Sequence, residues 1–366
     1  MKMKKIISMI SAAVIAASMS AVAAVPASAA SDTGWKTAYT KYLKQEAKKS
    51  DAYVNRDFSV YDLDGNGTPE LILLPDTVYT YKGGKMVKVK IESDDEYTPL
   101  GLGGLEYSPA KHTFAIQPGG SSRYIVELNQ IFKMENDRIF MCFSADVFVD
   151  DNSNYEYLIN KKKCSESEYE KAYAENIPSE TISIGYSFKM TESDIDCALS
   201  GGKNYKKLYK KFLKGRISEN ITGNFRYVDI TGDKVPEIFI SNKFGSMCVY
   251  TYKNNVLTYI GTVDYSKQNG ESIGWDKANN CICTHRADSS GERYNFYSVT
   301  KDGVLSGKRF YKYSEQGGSS AKYYINDVEV SLDKYNSELN KYTKMKFKSV
   351  GKDYTLTANN IKKVIK

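Results

Sequence analysis

Residues Phe58–Leu74 read FSVYDLDGNGTPELILL, a hydrophobic run, a turn of acids and glycines, and a second hydrophobic run. Short apolar runs either side of such a turn predict two strands joined by it. A worn copy stands 167 residues later at Phe225–Ile240, FRYVDITGDKVPEIFI. The two copies separate what the turn needs from what a ligand on it would need.

Working outward, the match continues on both sides. Trp35, Ala38, Tyr39, Tyr42 and Leu43 form the stripe of an amphipathic helix, and Tyr205, Leu208, Tyr209, Phe212 and Leu213 repeat it at an offset of 170. After the turns, Val78–Lys82 and Val249–Lys253 share the sequence VYTYK, each followed by a Gly-Gly or Asn-Asn turn and another strand. The middle of each half alternates short strands with Gly, Asn and Asp, the pattern of an antiparallel meander. Later, Ser165 and Ser331 read as helix N-caps, with Glu168 completing a capping box, and Thr191 and Thr357 cap a short final helix.

Offsets confined to 166–171 over a whole half mark a tandem duplication joined near Leu199–Gly202. The expected fold class is α+β, in two tandem domains over residues 31–199 and 203–366. Each would hold an N-terminal helix, an antiparallel meander sheet of about six to eight strands, and C-terminal helices. Propeller-like β blades are the alternative.

Lys2, Lys4 and Lys5, the apolar run Ile6–Ala24 and the small residues before Ser31 read as a secretory signal peptide over residues 1–30, cleaved near Ala29-Ala30. The expectation is a secreted, extracellular protein with no stable membrane span after cleavage. Removing its three lysines lowers the net charge from +7 to +4, too little to argue for nucleic acid. Thirty tyrosines against two tryptophans suit strands, and also surfaces where a ring stacks while its hydroxyl stays wet. Six cysteines in an exported chain leave room for one or two disulfides, but none recurs at matching places in the two halves.

Counted from Asp62, the first turn places Asp62, Asp64 and Asn66 at positions 1, 3 and 5, Gly67 at 6, Thr68 at 7 and Glu70 at 9. Side-chain oxygens at 1, 3 and 5 and a carbonyl at 7 suit calcium, which takes about six to eight oxygens. Position 12 is Leu73 and the flanks are strands, so the loop departs from an EF-hand, and Glu70 becomes the candidate closing ligand. The second copy offers Asp229, Thr231, Asp233 and Glu237 at positions 1, 3, 5 and 9, with Lys234 at the glycine position, a degenerate set. Pro69-Glu70 and Pro236-Glu237 occur in both copies, so they also suit the turn itself, with Glu237 accepting backbone N–H groups.

DLDGNGTPEL resembles the calcium loops between strands in integrin-type FG-GAP and VCBS repeat proteins, and a turn of many secreted proteins of Gram-positive bacteria. The resemblance spans about a dozen residues per copy. It implies a structural Ca2+ ion at Asp62–Glu70 and no catalytic one.

Cys281, Cys283 and His285 form a C-x-C-x-H run whose members share one strand face. The outer two lie roughly 13 Å apart on a strand, too far for one zinc. No orienting acid for a Cys283–His285 nucleophile is visible in sequence. His112, beside Lys111, reads as a solvated loop residue. Gly101–Gly104 and the GGSS runs at Gly119 and Gly317 lack a phosphate-cradle setting. Asp94, Asp95, Glu96, Asp150 and Asp151 read as loop acids, and Asp150, Asn152, Asn154 and Glu156 as a weaker ion pattern.

These features lead to a secreted, non-enzymatic binding or adhesion protein, engaging glycan, cell-wall polymer or a host surface protein. A secreted hydrolase whose acids converge from distant loops is one alternative, and a secreted inhibitor or colonisation factor another.

Overall fold

The helix stripes fold as read. In the computed structural model, Trp35–Leu43 lies within a helix over Gly34–Glu46, and its repeat within one over Tyr205–Ser218, whose cap Asn204 accepts from Lys207 N at 3.0 Å. The structure describes residues 34–49, 57–73, 77–92, 105–116, 125–150, 154–178, 180–184, 187–219, 223–241, 246–265, 271–289, 291–300, 303–314, 321–326 and 328–366. The signal segment, the three glycine runs, and the acids at 94–96 and 151 lie outside them.

In each half the strands divide between two sheets, where the sequence suggested one. The five-stranded sheet of the first half runs Phe188–Lys189, Asp57–Tyr61, Glu70–Leu73, Thr77–Lys82, Lys85–Lys88. Its counterpart runs Tyr354–Thr355, Asn224–Val228, Glu237–Ser241, Ser246–Lys253, Val256–Asp264. The remaining strands form an eight-stranded sheet, six of its strands an antiparallel meander over residues 105–164, and a seven-stranded one, six of its strands an antiparallel meander over residues 272–330. Pairing between distant segments makes the division. In each half one late segment returns to the large sheet (Ile182–Ser183; Lys348–Ser349) and the next to the small one. Lys90–Ile91 adds a parallel pairing to Arg138–Ile139.

Strand alternation then gives each sheet two faces to cover. In the second half Phe239, Val249 and Ile260 of the small sheet pack on Ile282, Tyr297 and Val299 of the large one. Their alternates Ile238, Ile240 and Tyr250 belong to the cluster containing Phe212 and Leu213 of the Tyr205–Ser218 helix. The outer face of the large sheet is covered by the Leu332–Thr343 helix through Tyr335, against Phe296 and Phe310. The Glu166–Asn176 helix does the same in the first half through Tyr169, against Ile131 and Val147. Ser165 and Glu168 form the capping box, Ser331 accepts from Lys334 N, and Thr191 and Thr357 accept from Asp194 N and Asn360 N.

The halves share their interior. One cluster joins Tyr39, Phe58 and Leu71 to Tyr209, Phe225 and Ile240, and Thr33–Lys366 is a single compact unit. Tyr250 and Tyr259 donate across to the carbonyls of Ser187 and Ser183, both at 2.5 Å. At the junction Asp196 pairs with Lys44 and Lys211, each at 2.7 Å, so it ties the two N-terminal helices together. Gly201, at φ +59°, ends that junction against the Asn255 backbone, where a side chain would collide.

One buried contact is made by different residues at matching places in the two halves. Ser59 donates to Ile184 O at 2.5 Å and lies 2.9 Å from the Ser187 hydroxyl. The matching residues in the second half are Arg226, which donates to Val350 O at 2.9 Å, and Asp353, 3.5 Å from its guanidinium. A small hydroxyl pair and a larger ion pair therefore bridge the same two segments.

Candidate metal site

The pairing Phe58↔Leu73 through Tyr61↔Glu70 leaves residues 62–69 as the first turn. Gly65 and Gly67 take φ +74° and +89°, which lets the chain fold back around its own carboxylates. Gly67 N donates to Asp62 Oδ2 at 2.9 Å, Asn66 N to Asp64 Oδ1 at 3.1 Å, and Thr68 N to Asn66 Oδ1 at 2.7 Å. These bonds fold the side chains at positions 1, 3 and 5 back onto the loop's own backbone. Oxygens of Asp62, Asp64 and Glu70 converge to within 4.8 Å of one another. Asp62 Oδ1 is buried without a hydrogen-bond partner, a costly state for a carboxylate oxygen. Asn66 is exposed and Thr68 half-buried, so both stand at the rim.

Glu70 has a second task. It is fully buried, its Oε2 accepts from Leu63 N at 2.8 Å, and its Oε1 accepts from Thr80 Oγ1 at 2.9 Å. It thus latches the turn to the next strand whether or not a cation is present. Burial, with help from the charges of Asp64 and Asp62, pushes its carboxyl up to about 8. Burial also raises Asp62, with Asp64 adding repulsion. Mutual crowding of three carboxylates is the electrostatic setting a divalent cation relieves.

His112 belongs to this turn, which corrects its reading as a solvated loop residue. The hairpin of Leu105–Ser108 and Thr113–Ile116 brings it over Gly65, where an added Cβ would lie 2.6 Å from its ring. Buried Tyr107 donates to Asp62 O at 2.9 Å and lies 2.8 Å from His112 Nδ1. With its one proton given to Asp62, the phenol accepts from His112, so Nδ1 carries the ring proton. Sequence gave no signal for this contact, because it depends on how the two sheets meet.

The second turn repeats the latch without the ligand set. Glu237 is fully buried, accepts from Ile230 N at 2.8 Å and Thr251 Oγ1 at 2.9 Å, and is pushed up by burial to about 7. Asp229 accepts from Gly232 N and Lys234 N, at 2.6 and 3.1 Å, and Asp233 from Val235 N at 2.7 Å. Thr231, in the place of Asp64, donates to Glu237 at 3.3 Å. Lys234 holds φ +71° where the first turn has Gly67, so the bend survives loss of the glycine. The strand-turn-strand frame and the glutamate are common to both copies, and the convergent carboxylate trio belongs to the first.

No family model matches the chain, and no curated protein matches it. Among solved structures, it is similar to an arginine-to-alanine triple mutant of AofleA from Arthrobotrys oligospora, at 11% identity and TM-score 0.17, covering 82% of this chain and 88% of that one. It is also similar to the WD40 domain of SCAP from fission yeast, at 8% identity and TM-score 0.13, covering 75% and 64%. Likenesses this weak assign neither fold nor function.

The latches make stability depend on pH. Glu70 and Glu237 have folded values of about 8 and about 7 against an ordinary 4.5. Between 4.5 and those values the folded state holds protons that the unfolded chain has released, so stability falls as pH rises through that window. Melting in chelator is expected at a lower temperature at pH 8 than at pH 5.5. The paired substitutions Glu70→Gln and Glu237→Gln should flatten the difference. A melting temperature that climbs over this range in the parent and the variant alike would contradict the assignment.

The C-x-C-x-H run divides between a buried cysteine pair and a half-buried histidine. Cys281 and Cys283 are buried in the aromatic cluster of Phe296, Phe310 and Tyr335, and burial pushes their thiols up to about 11 and about 12. His285 instead stacks on Tyr294, with 4.3 Å between centroids, and its Nε2 lies 3.0 Å from Glu292 Oε1. Among the described residues no disulfide joins any of the six cysteines. Of the weaker ion pattern, Asp150 accepts from Asn154 N at 2.8 Å, and Asn152 lies outside the described residues.

Proposed function

We propose that this is an exported protein that binds a glycan, a cell-wall polymer or a host surface protein without turning it over, with one calcium ion stiffening its first half. The observation that carries the calcium reading is the convergence of Asp62, Asp64 and Glu70 within 4.8 Å, beside a buried Asp62 oxygen that has no partner. Asn66 and the Thr68 carbonyl complete the proposed oxygen shell. The likeness of DLDGNGTPEL to the FG-GAP and VCBS loops supports the same role. The second copy supports a structural purpose, because the same frame stands there on its latch alone. Binding rather than catalysis is supported by the signal-peptide pattern, the tyrosine-rich sheets, and the burial of the Cys281 and Cys283 thiols.

The test uses the full mature chain, since both halves contribute to one core. Calcium at millimolar concentration should raise the melting temperature of the demetallated protein, by mass action on the folded state. Asp64→Ala should remove that response and Asp233→Ala should leave it. Equal melting in calcium and in chelator would end the calcium reading. Screening the chain against an array of glycans and surface proteins tests the binding reading, and turnover of an arrayed polymer with no stable binding would contradict it.

A further inference from the structure

The large sheet of the second half carries an aromatic and cationic face that nothing above uses. In the strand Val304–Ser314, Phe310 points at the Leu332–Thr343 helix, its ring 5.8 Å from Tyr335 and 5.7 Å from Tyr342. Strand alternation turns Arg309, Tyr311 and Tyr313 to the opposite side. Register across the neighbouring strands places Arg293 and Tyr324 beside Tyr311, and Lys322 beside Tyr313. At its Ile282 and Tyr297 end this face is covered by the small sheet. Toward Tyr311 it opens: Arg293 and Lys322 are exposed, and the three tyrosines and Arg309 half-exposed.

The rings form a shallow platform. Tyr311 lies 6.0 Å from Tyr324 and 6.3 Å from Tyr313, with interplanar angles of 34° and 36°, and the Arg293 guanidinium sits 5.4 Å over Tyr311. Among the described residues two acids share the face. Asp288 is paired with Arg286 at 2.7 Å, and Glu329 stands at the edge beside Tyr324. Arg286, Arg293, Arg309 and Lys322 outnumber these two acids.

The first half lacks this chemistry. Ser144 N donates to Asn160 Oδ1 as Arg309 N does to Asn326 Oδ1, at 2.9 and 2.8 Å, which aligns the two sheets. In that alignment Asp146 stands for Tyr311, Leu158 for Tyr324 and Phe148 for Tyr313.

We infer that this face of the second half is the docking platform for an acidic polysaccharide of the uronate type. The inference rests on the binding reading above and gives it a place and a ligand class. Flat aromatic faces with hydrated hydroxyls suit the apolar faces of sugar rings, and tyrosines do so at low entropic cost. Guanidinium groups beside them match carboxylates in bidentate geometry. An extended polymer fits a broad, open sheet face better than a small solute, which needs a pocket.

Affinity electrophoresis of the full mature chain through gels containing polygalacturonate, dextran or polyglutamate tests it. Retardation is expected in polygalacturonate, weaker in the neutral and the peptide polymers, and reduced by salt. Tyr311→Ala and Arg293→Gln should each weaken it by about tenfold or more. Both sites are at the surface, so unchanged melting curves can be shown alongside. Lys163→Ala, on the corresponding face of the first half, should leave retardation unchanged. Equal retardation of parent and both variants would overturn the platform, and equal retardation by polyglutamate or dextran would overturn the acidic-sugar assignment. Loss of polygalacturonate binding alongside capture of another surface ligand would overturn this inference alone. Failure with every polymer and every arrayed surface protein would contradict the binding reading as well.

Discussion

The Arg216→Ala protein is expected to lose about 3–5 kcal/mol of folding stability, as buried pairs do when one partner is removed. Arg216 reaches from the Tyr205–Ser218 helix to Asp194 at 2.7 Å, with side-chain exposures of 7% and 0%, and its guanidinium stacks 4.8 Å over Phe212. Asp194 in turn accepts from Lys189 N at 2.8 Å. Burial raises the carboxyl despite its partner, so without the arginine the junction would hold an uncompensated carboxylate or a proton in its place. Urea unfolding measures the loss. Asp194→Asn combined with Arg216→Met should recover part of it, since a packed neutral pair avoids the stranded charge. A loss in Arg216→Ala below about 1 kcal/mol, the range of surface pairs, would show that the junction does not depend on this contact.

Removing either latch glutamate should cost nearly as much. Glu237→Ala strands Ile230 N and the Thr251 hydroxyl, at about 1–3 kcal/mol for each orphaned donor. Glu70→Ala strands Leu63 N and the Thr80 hydroxyl in the same way. In chelator the two variants are expected to be similarly destabilised. With calcium present, Glu70→Ala should fall further behind the parent, because it also loses the ion, while the Glu237→Ala deficit stays constant. Full parental stability of Glu70→Ala in chelator would show that this glutamate acts only through metal.

Local features of the fold were legible in the sequence because their physics is local. A helix stripe at Trp35–Leu43 and caps at Ser165, Ser331, Thr191 and Thr357 depend on residues three or four apart, and the matching patterns of the two halves let each be read twice. The division of each meander into two sheets was hidden. It is decided by pairings such as Phe58↔Phe188, separated by most of a half, and no turn residue announces them. The contact made by Ser59–Ser187 in one half and Arg226–Asp353 in the other was equally invisible, since unlike residues occupy matching places.

The candidate site divides the same way. Spacing placed Asp62, Asp64 and Glu70 together, because a turn of eight residues between paired strands leaves few other arrangements. Spacing did not reveal that Glu70 is first a latch, although the survival of Glu237 beside a depleted ligand set pointed there. His112 escaped because the strand hairpin that delivers it comes from the other sheet. The tyrosines belong to both suggested classes: Tyr39, Tyr209 and Tyr250 fill the core, and Tyr311, Tyr313 and Tyr324 pave an open face.

The central claim is an asymmetry, in which one of two homologous turns holds an ion. Calorimetric titration of calcium into the demetallated full chain tests it most directly. One ion per chain, lost in Asp64→Ala and retained in Asp233→Ala, is the predicted result. Two equivalent ions, or no heat of binding at millimolar calcium, would contradict it.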